Sequence, residues 1–137
     1  LHLEDRTYNI TVSDCTLINN NNTTVNGKNF NSVVALTSPT GQFPEQLVRN
    51  VVIENSVVRG QCKWGMELVK FNSVTIRNVT FDFPSSNTTQ LINSWTQGEN
   101  LLLQSNPNLQ RSDVSQGPNG FYSLPNGGWL NTSSIFL

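Results

Sequence analysis

Charge is scarce in this chain. Only 12% of its 137 residues are Asp, Glu, Lys or Arg, and the two signs nearly cancel, leaving a formal net charge of −1. So even a balance exerts no strong general pull on nucleic acid or anionic membrane, and neither is expected as a partner. No run of about 18 apolar residues occurs, so no membrane insertion through an apolar helix is expected. Histidine appears once, at His2, and cysteine twice, at Cys15 and Cys62. Two cysteines and one histidine do not make a metal site, and no cofactor is expected. Gly-x-Ser-x-Gly, His-Glu-x-x-His, a phosphate loop and a dinucleotide fingerprint are all missing, which removes several enzyme classes. The length suits one domain. The first residue is Leu and a strand pattern is already under way at Asn9, so the expectation is a piece of something longer.

What the chain does have is Asn, Ser and Thr in quantity, set among regularly alternating apolar residues. The alternation marks the polar residues as turns and outer faces rather than disorder. Its clearest instance is residues 73–81, Ser-Val-Thr-Ile-Arg-Asn-Val-Thr-Phe. Val74 to Ile76 and Val79 to Phe81 each alternate apolar and polar and are rich in β-branched residues, which suit a half-buried pleated surface. Asn78 stands between them, and Asn tolerates a left-handed backbone better than other non-glycine residues. The same phrase recurs at residues 9–17 and 50–58, with a fading copy from Asn100. In register, the bend falls on Asp14, Asn55, Asn78 and Ser105. The position before the first strand falls on Asn9, Asn50, Ser73 and Asn100.

The copies start 41, 23 and 27 residues apart, the scale of a solenoid coil. A further strand recurs ahead of each pair, at residues 33–36, 66–69 and 91–93, with a candidate at 1–4. Parallel stacking of equivalent strands, about 4.8 Å apart, would put Val74 and Ile76 on Val51 and Ile53, then on Ile10 and Val12. Asp14, Asn55 and Asn78 would line one corner as a turn ladder of side chains. Thr16, Val57 and Thr80 would face outward, and Cys15 would point inward as a buried free thiol. Longer connections are expected at residues 18–31, 37–48 and 82–89. Six Asn-x-Ser/Thr sequons exceed chance expectation by too little to argue for glycosylation.

On these three phrases and their turn residues Asp14, Asn55 and Asn78, the chain resembles the right-handed parallel β-helix of the pectate-lyase-like superfamily. The resemblance implies an all-β fold. About four coils would span residues 1–105, and residues 106–137 would form a short β-rich cap or trimerisation segment. Members of the superfamily include polysaccharide lyases, polygalacturonase-like hydrolases, esterases, epimerases and phage tailspikes. The aspartate-pair and histidine motifs of the polygalacturonase-like members are absent here, as are the clustered calcium-binding aspartates of pectate lyases. With those signatures missing, a start in mid-repeat and a distinct strand-rich C-terminal piece suited to self-association, the chain most resembles a tailspike. That likeness implies a virion-tail or extracellular location, a polysaccharide ligand that is bound, or bound and depolymerised, and a homotrimer. A lyase or hydrolase whose active site lies partly in this chain, and a purely structural shaft, are the alternatives.

Read from the residues, one constellation carries chemistry. Glu67 sits between Met66 and Leu68, so it faces outward if they face inward. Lys63, Trp64 and Lys70 are near it in sequence, and Trp95 follows the equivalent strand one coil on. A carboxylate, an ammonium group and flat rings on one face suit a sugar chain. Glycoside hydrolysis needs two carboxyls roughly 5 to 10 Å apart. Glu67 and Glu4 are the candidate catalytic pair, with Trp64, Lys63, Lys70 and Trp95 as substrate-binding candidates. Phe121, Trp129, Ile135 and Phe136 are large apolar residues outside the repeat, placed either to cap the open end of the coil or to meet other copies of the chain.

Overall fold

A computed structural model describes residues 1–20, 24–25, 28–29, 32–38, 40–84, 90–94, 99–116 and 135–136. The strands are β1 (His2–Glu4), β2 (Tyr8–Ser13), β3 (Thr16–Asn19), β4 (Thr24–Val25), β5 (Lys28–Asn29), β6 (Ser32–Thr37), β7 (Val48–Gly60), β8 (Trp64–Val69), β9 (Phe71–Asp82), β10 (Gln90–Ser94), β11 (Glu99–Gln104), β12 (Val114–Gln116) and β13 (Ile135–Phe136). The fold is all-β, and the helical turns among the described residues are two short 3-10 segments, Pro44–Gln46 and Arg111–Asp113. No helix among them is long and apolar enough to cross a membrane.

The chain shuttles between two sheets. The first has the order β1-β6-β8-β10-β12, the second β13-β11-β9-β7-β2, with β3 beside the far half of β7. Every pairing within these two sheets is parallel. Each strand therefore lies against its equivalent from the next pass, as parallel pairing with intervening crossovers requires. Among the described residues only β4 and β5 pair antiparallel, as a side hairpin in the first long connection.

The register follows the repeat in the sequence. Ile10 pairs with Val51, Val51 with Val74 and Val74 with Leu101. Val12, Ile53, Ile76 and Leu103 line up in the same way. Every residue at the two turn positions adopts a left-handed backbone. At the bend, φ is 57° for Asp14, 51° for Asn55, 49° for Asn78 and 56° for Ser105. Before the first strand it is 55° for Asn9, 52° for Asn50, 62° for Ser73 and 57° for Asn100. These positions fall on Asn and Asp more than on other types because a β-carbon is strained there and a short polar side chain recovers a local hydrogen bond. The side chains also bond between passes. Asn78 Nδ2 donates to Asn55 Oδ1 at 2.8 Å, and Asn50 Nδ2 to Asn9 Oδ1 at 3.2 Å. In each, the later pass donates to the earlier.

Between the sheets lies one core. Val34, Leu36, Met66, Leu68 and Ile92 from the first sheet and Val51, Ile53, Val74, Ile76, Leu101 and Leu103 from the second are at most 1% exposed. Burying side chains of this size stabilises the fold by about 1.5–3 kcal/mol each. The core thins at the β1–β2 end, where Leu3, Ile10, Val12 and Leu17 are half-buried. Cys15 occupies the inward register of Ser56 and Val79, as expected, but it is exposed rather than buried. It lies between β2 and β3, beyond which no further strand stacks among the described residues. The buried thiol is Cys62, whose Sγ donates to Asn19 O at 2.9 Å.

Beyond Ser105 the backbone leaves the ladder and asparagine side chains stand in for it. Asn106 Oδ1 accepts from Val79 N at 2.9 Å, its Nδ2 donates to Ile76 O at 3.0 Å, and Asn108 brackets Phe81 N and O in the same way. The chain then re-enters both sheets, as β12 on β10 and β13 on β11. Within this C-terminal segment, Val114 on β12 supplies one more buried inward residue. Ile135 and Phe136 form β13, while Phe121 and Trp129 lie outside the described residues.

Candidate functional site

Alternation along β8 decides what the outer face of the first sheet offers. Met66 and Leu68 are buried at 0% exposure, which turns Glu67 outward. Register then builds a row across four strands. His2 pairs with Ala35, Ala35 with Glu67, and Glu67 with Asn93. The next row on the same face holds Glu4, Thr37 and Val69. On the other side, an apolar strip comes from Val33, Gly65 and Leu91. A β-carbon on Gly65 would sit 2.6 Å from Leu91 O and 3.1 Å from Phe83 Cε2, so the glycine admits the Phe83 ring against the sheet.

This setting explains the state of Glu67. It is half-buried, and the loss of water pushes its carboxyl above the ordinary carboxylate range. The Lys63 ammonium pulls the other way without cancelling the effect. Glu67 accepts no hydrogen bond among the described residues. Beside it, Asn93 is 4% exposed. At the near edge of the sheet His2 Nε2 lies 3.1 Å from Thr37 Oγ1.

The other candidates scatter. Glu4 is exposed and pairs with Thr37, which pairs with Val69, two residues beyond Glu67. Two strand spacings and a two-residue offset put the Cα atoms of Glu4 and Glu67 about 12 Å apart. The register does not bring them together as a close pair. Trp64 is half-buried at the start of β8, on the inward parity of Met66 and Leu68, so alternation does not place it on the face of Glu67. The Lys63 Nζ stands 4.8 Å from the Trp64 ring centroid, a cation–π contact. Lys70 forms the turn into β9 with φ 55° and is half-buried. Trp95 lies outside the described residues. Of the turn ladder, Asn55 and Asn78 are bonded side chain to side chain, while the Asp14 carboxylate accepts from Ser13 Oγ at 2.8 Å.

His2, Ala35 and Asn93 were not singled out from the sequence. The signal was there: matching the inward pair Val34 and Leu36 to Met66 and Leu68 aligns Ala35 with Glu67, and the same step reaches His2 and Asn93. Compared with protein-family models, with curated proteins and with solved structures, the chain matches none.

Proposed function

We propose that this chain is a right-handed parallel β-helix of about four coils, similar to a piece of a phage tailspike, that binds polysaccharide on the outer face of its first sheet. The strict shuttling between two parallel sheets supports the fold half of this reading, as do left-handed residues at matching turns. One observation carries the functional half. Glu67 is a half-buried carboxylate, with Lys63 beside it and no hydrogen bond of its own among the described residues, on a face built of regularly spaced strands. Sugar hydroxyls are the donors such an acceptor lacks. The setting is extracellular or virion-borne, and three copies associate partly through residues after Ser105.

The test is a glycan array run beside an assay for released oligosaccharide. Binding without release supports the reading. Silence in both assays removes it and leaves a structural shaft. A second reading, cleavage by a lyase or glycosidase, is favoured by the raised protonation of Glu67, which suits a general acid. Under it, wild-type protein releases oligosaccharide and Glu67→Gln stops release while glycan still binds. Sedimentation of the intact chain beside one truncated after Ser105 tests the trimer, and an intact chain that stays monomeric at high concentration removes it.

A further inference from the structure

We propose that the first sheet's outer face selects a neutral sugar unit, seated over Ala35 between His2 and Glu67, and disfavours uronic acids. The inference rests on the glycan-binding reading above and narrows it to a ligand class.

The row His2–Ala35–Glu67 spans two strand spacings, so its end Cα atoms lie about 10 Å apart. Polar groups stand at both ends, and the middle position holds a methyl group. That leaves a gap over Ala35 about the width of one pyranose ring, with its floor set by the sheet. Glu67 offers acceptor lone pairs at one end, and the His2 imidazole offers a donor or an acceptor at the other. Thr37, which pairs with Glu4 and meets His2 Nε2, adds a hydroxyl beside the gap. All three suit a unit whose edges are hydroxyl groups.

Charge sets the class. The two rows that frame the gap carry two carboxylates, Glu67 and Glu4. Among the described residues, the ammonium group acting on Glu67 is that of Lys63, whose Nζ also stands over the Trp64 ring. A uronate over Ala35 would bring a third negative charge beside a half-desolvated one, where charge repulsion is least screened. A neutral hexose meets the same acceptors with hydroxyl donors and no such repulsion.

The probes are manno-, gluco- and galacto-oligosaccharides of four to six units and oligogalacturonates of the same lengths, titrated calorimetrically against the intact chain. At least one neutral series should bind about tenfold or more tightly than the uronates. Ala35→Leu, which fills the gap from the solvent side, should weaken that binding about tenfold. His2→Ala should weaken it a few-fold, and Thr80→Leu, on the exposed face of the second sheet, should leave it unchanged. Glu67→Gln should raise uronate affinity relative to neutral affinity. Circular dichroism and melting of each variant separate a lost site from a lost fold. Tighter uronate binding, or neutral binding indifferent to Ala35→Leu in a folded variant, overturns this inference and leaves glycan binding standing. A wild-type chain that binds no glycan on either the array or this panel overturns both.

Discussion

The outer faces of the two sheets handle charge in opposite ways. On the second sheet the charges meet across neighbouring strands. Arg77 Nε donates to Glu54 Oε2 at 2.7 Å, Arg59 Nε to Asp82 Oδ2 at 2.8 Å, and the Arg49 guanidinium lies 4.2 Å from the Tyr8 ring centroid. In each case the two residues are register partners. On the first sheet, Glu67 has a methyl group and an amide as its register partners, and its carboxylate accepts no hydrogen bond among the described residues. The second sheet's ionic groups answer one another, which leaves less for a ligand to complete. The first sheet keeps a carboxylate in a setting that disfavours its charge.

Beneath both faces the core is shared, and the largest expected effects test that. Ile76→Ala in the second sheet and Met66→Ala in the first should each cost about 2–5 kcal/mol in denaturant titrations, since both side chains are fully buried. A small cost at one site and a large one at the other would mean the sheets do not enclose one core.

The turn ladder comes next. Asn78→Ala loses an inter-pass hydrogen bond and places an alanine at φ 49°, so about 1–3 kcal/mol should be lost. Asn78→Gly keeps the backbone comfortable and loses the bond alone, so it should fall short of that loss. If glycine proves as costly as alanine, the left-handed backbone is not what selects Asn there.

The smallest effects distinguish the two faces directly. Arg77→Met breaks a pair whose partners are 46% and 21% exposed, and should change stability by less than about 1 kcal/mol. Glu67→Gln should be stabilising at neutral pH, because the folded chain holds that carboxyl protonated to higher pH than the unfolded chain does. The sign follows from linkage: the contribution is fully present below the ordinary carboxylate range and is lost as pH rises through the raised value. Melting curves of wild type and variant should therefore converge at acid pH and separate towards neutral pH. Curves that separate in the opposite sense would mean Lys63 outweighs desolvation.

Much of this architecture was legible because the repeat is written in residue types that local physics selects. The positions read as bends and strand starts coincide with left-handed backbone, since Asn and Asp are the types that tolerate it. The strand ahead of each pair was found because an apolar run recurs there, at residues 33–36, 66–69 and 91–93. Burial was less legible, because it depends on place in the stack. Val12 and Ile53 share one register, yet Ile53 is fully buried and Val12 is not. Cys15 was misjudged for the same reason: sequence assigns the inward direction, and only the stack says whether anything lies beyond. The site was the least legible part. Glu67 was found by parity alone, and the two-residue offset between it and its candidate partner Glu4 is set by register, which proximity in the repeat does not give. Trp64, close to Glu67 in sequence, stands on the opposite parity.

Hydrogen exchange of the intact chain with and without a bound neutral oligosaccharide tests the central claim most directly. The account predicts slowed exchange in β1, β6 and β8, around His2, Ala35 and Glu67, with β7 and β9 unchanged. Slowing confined to β7 and β9, or none in the first sheet at saturating ligand, would contradict it.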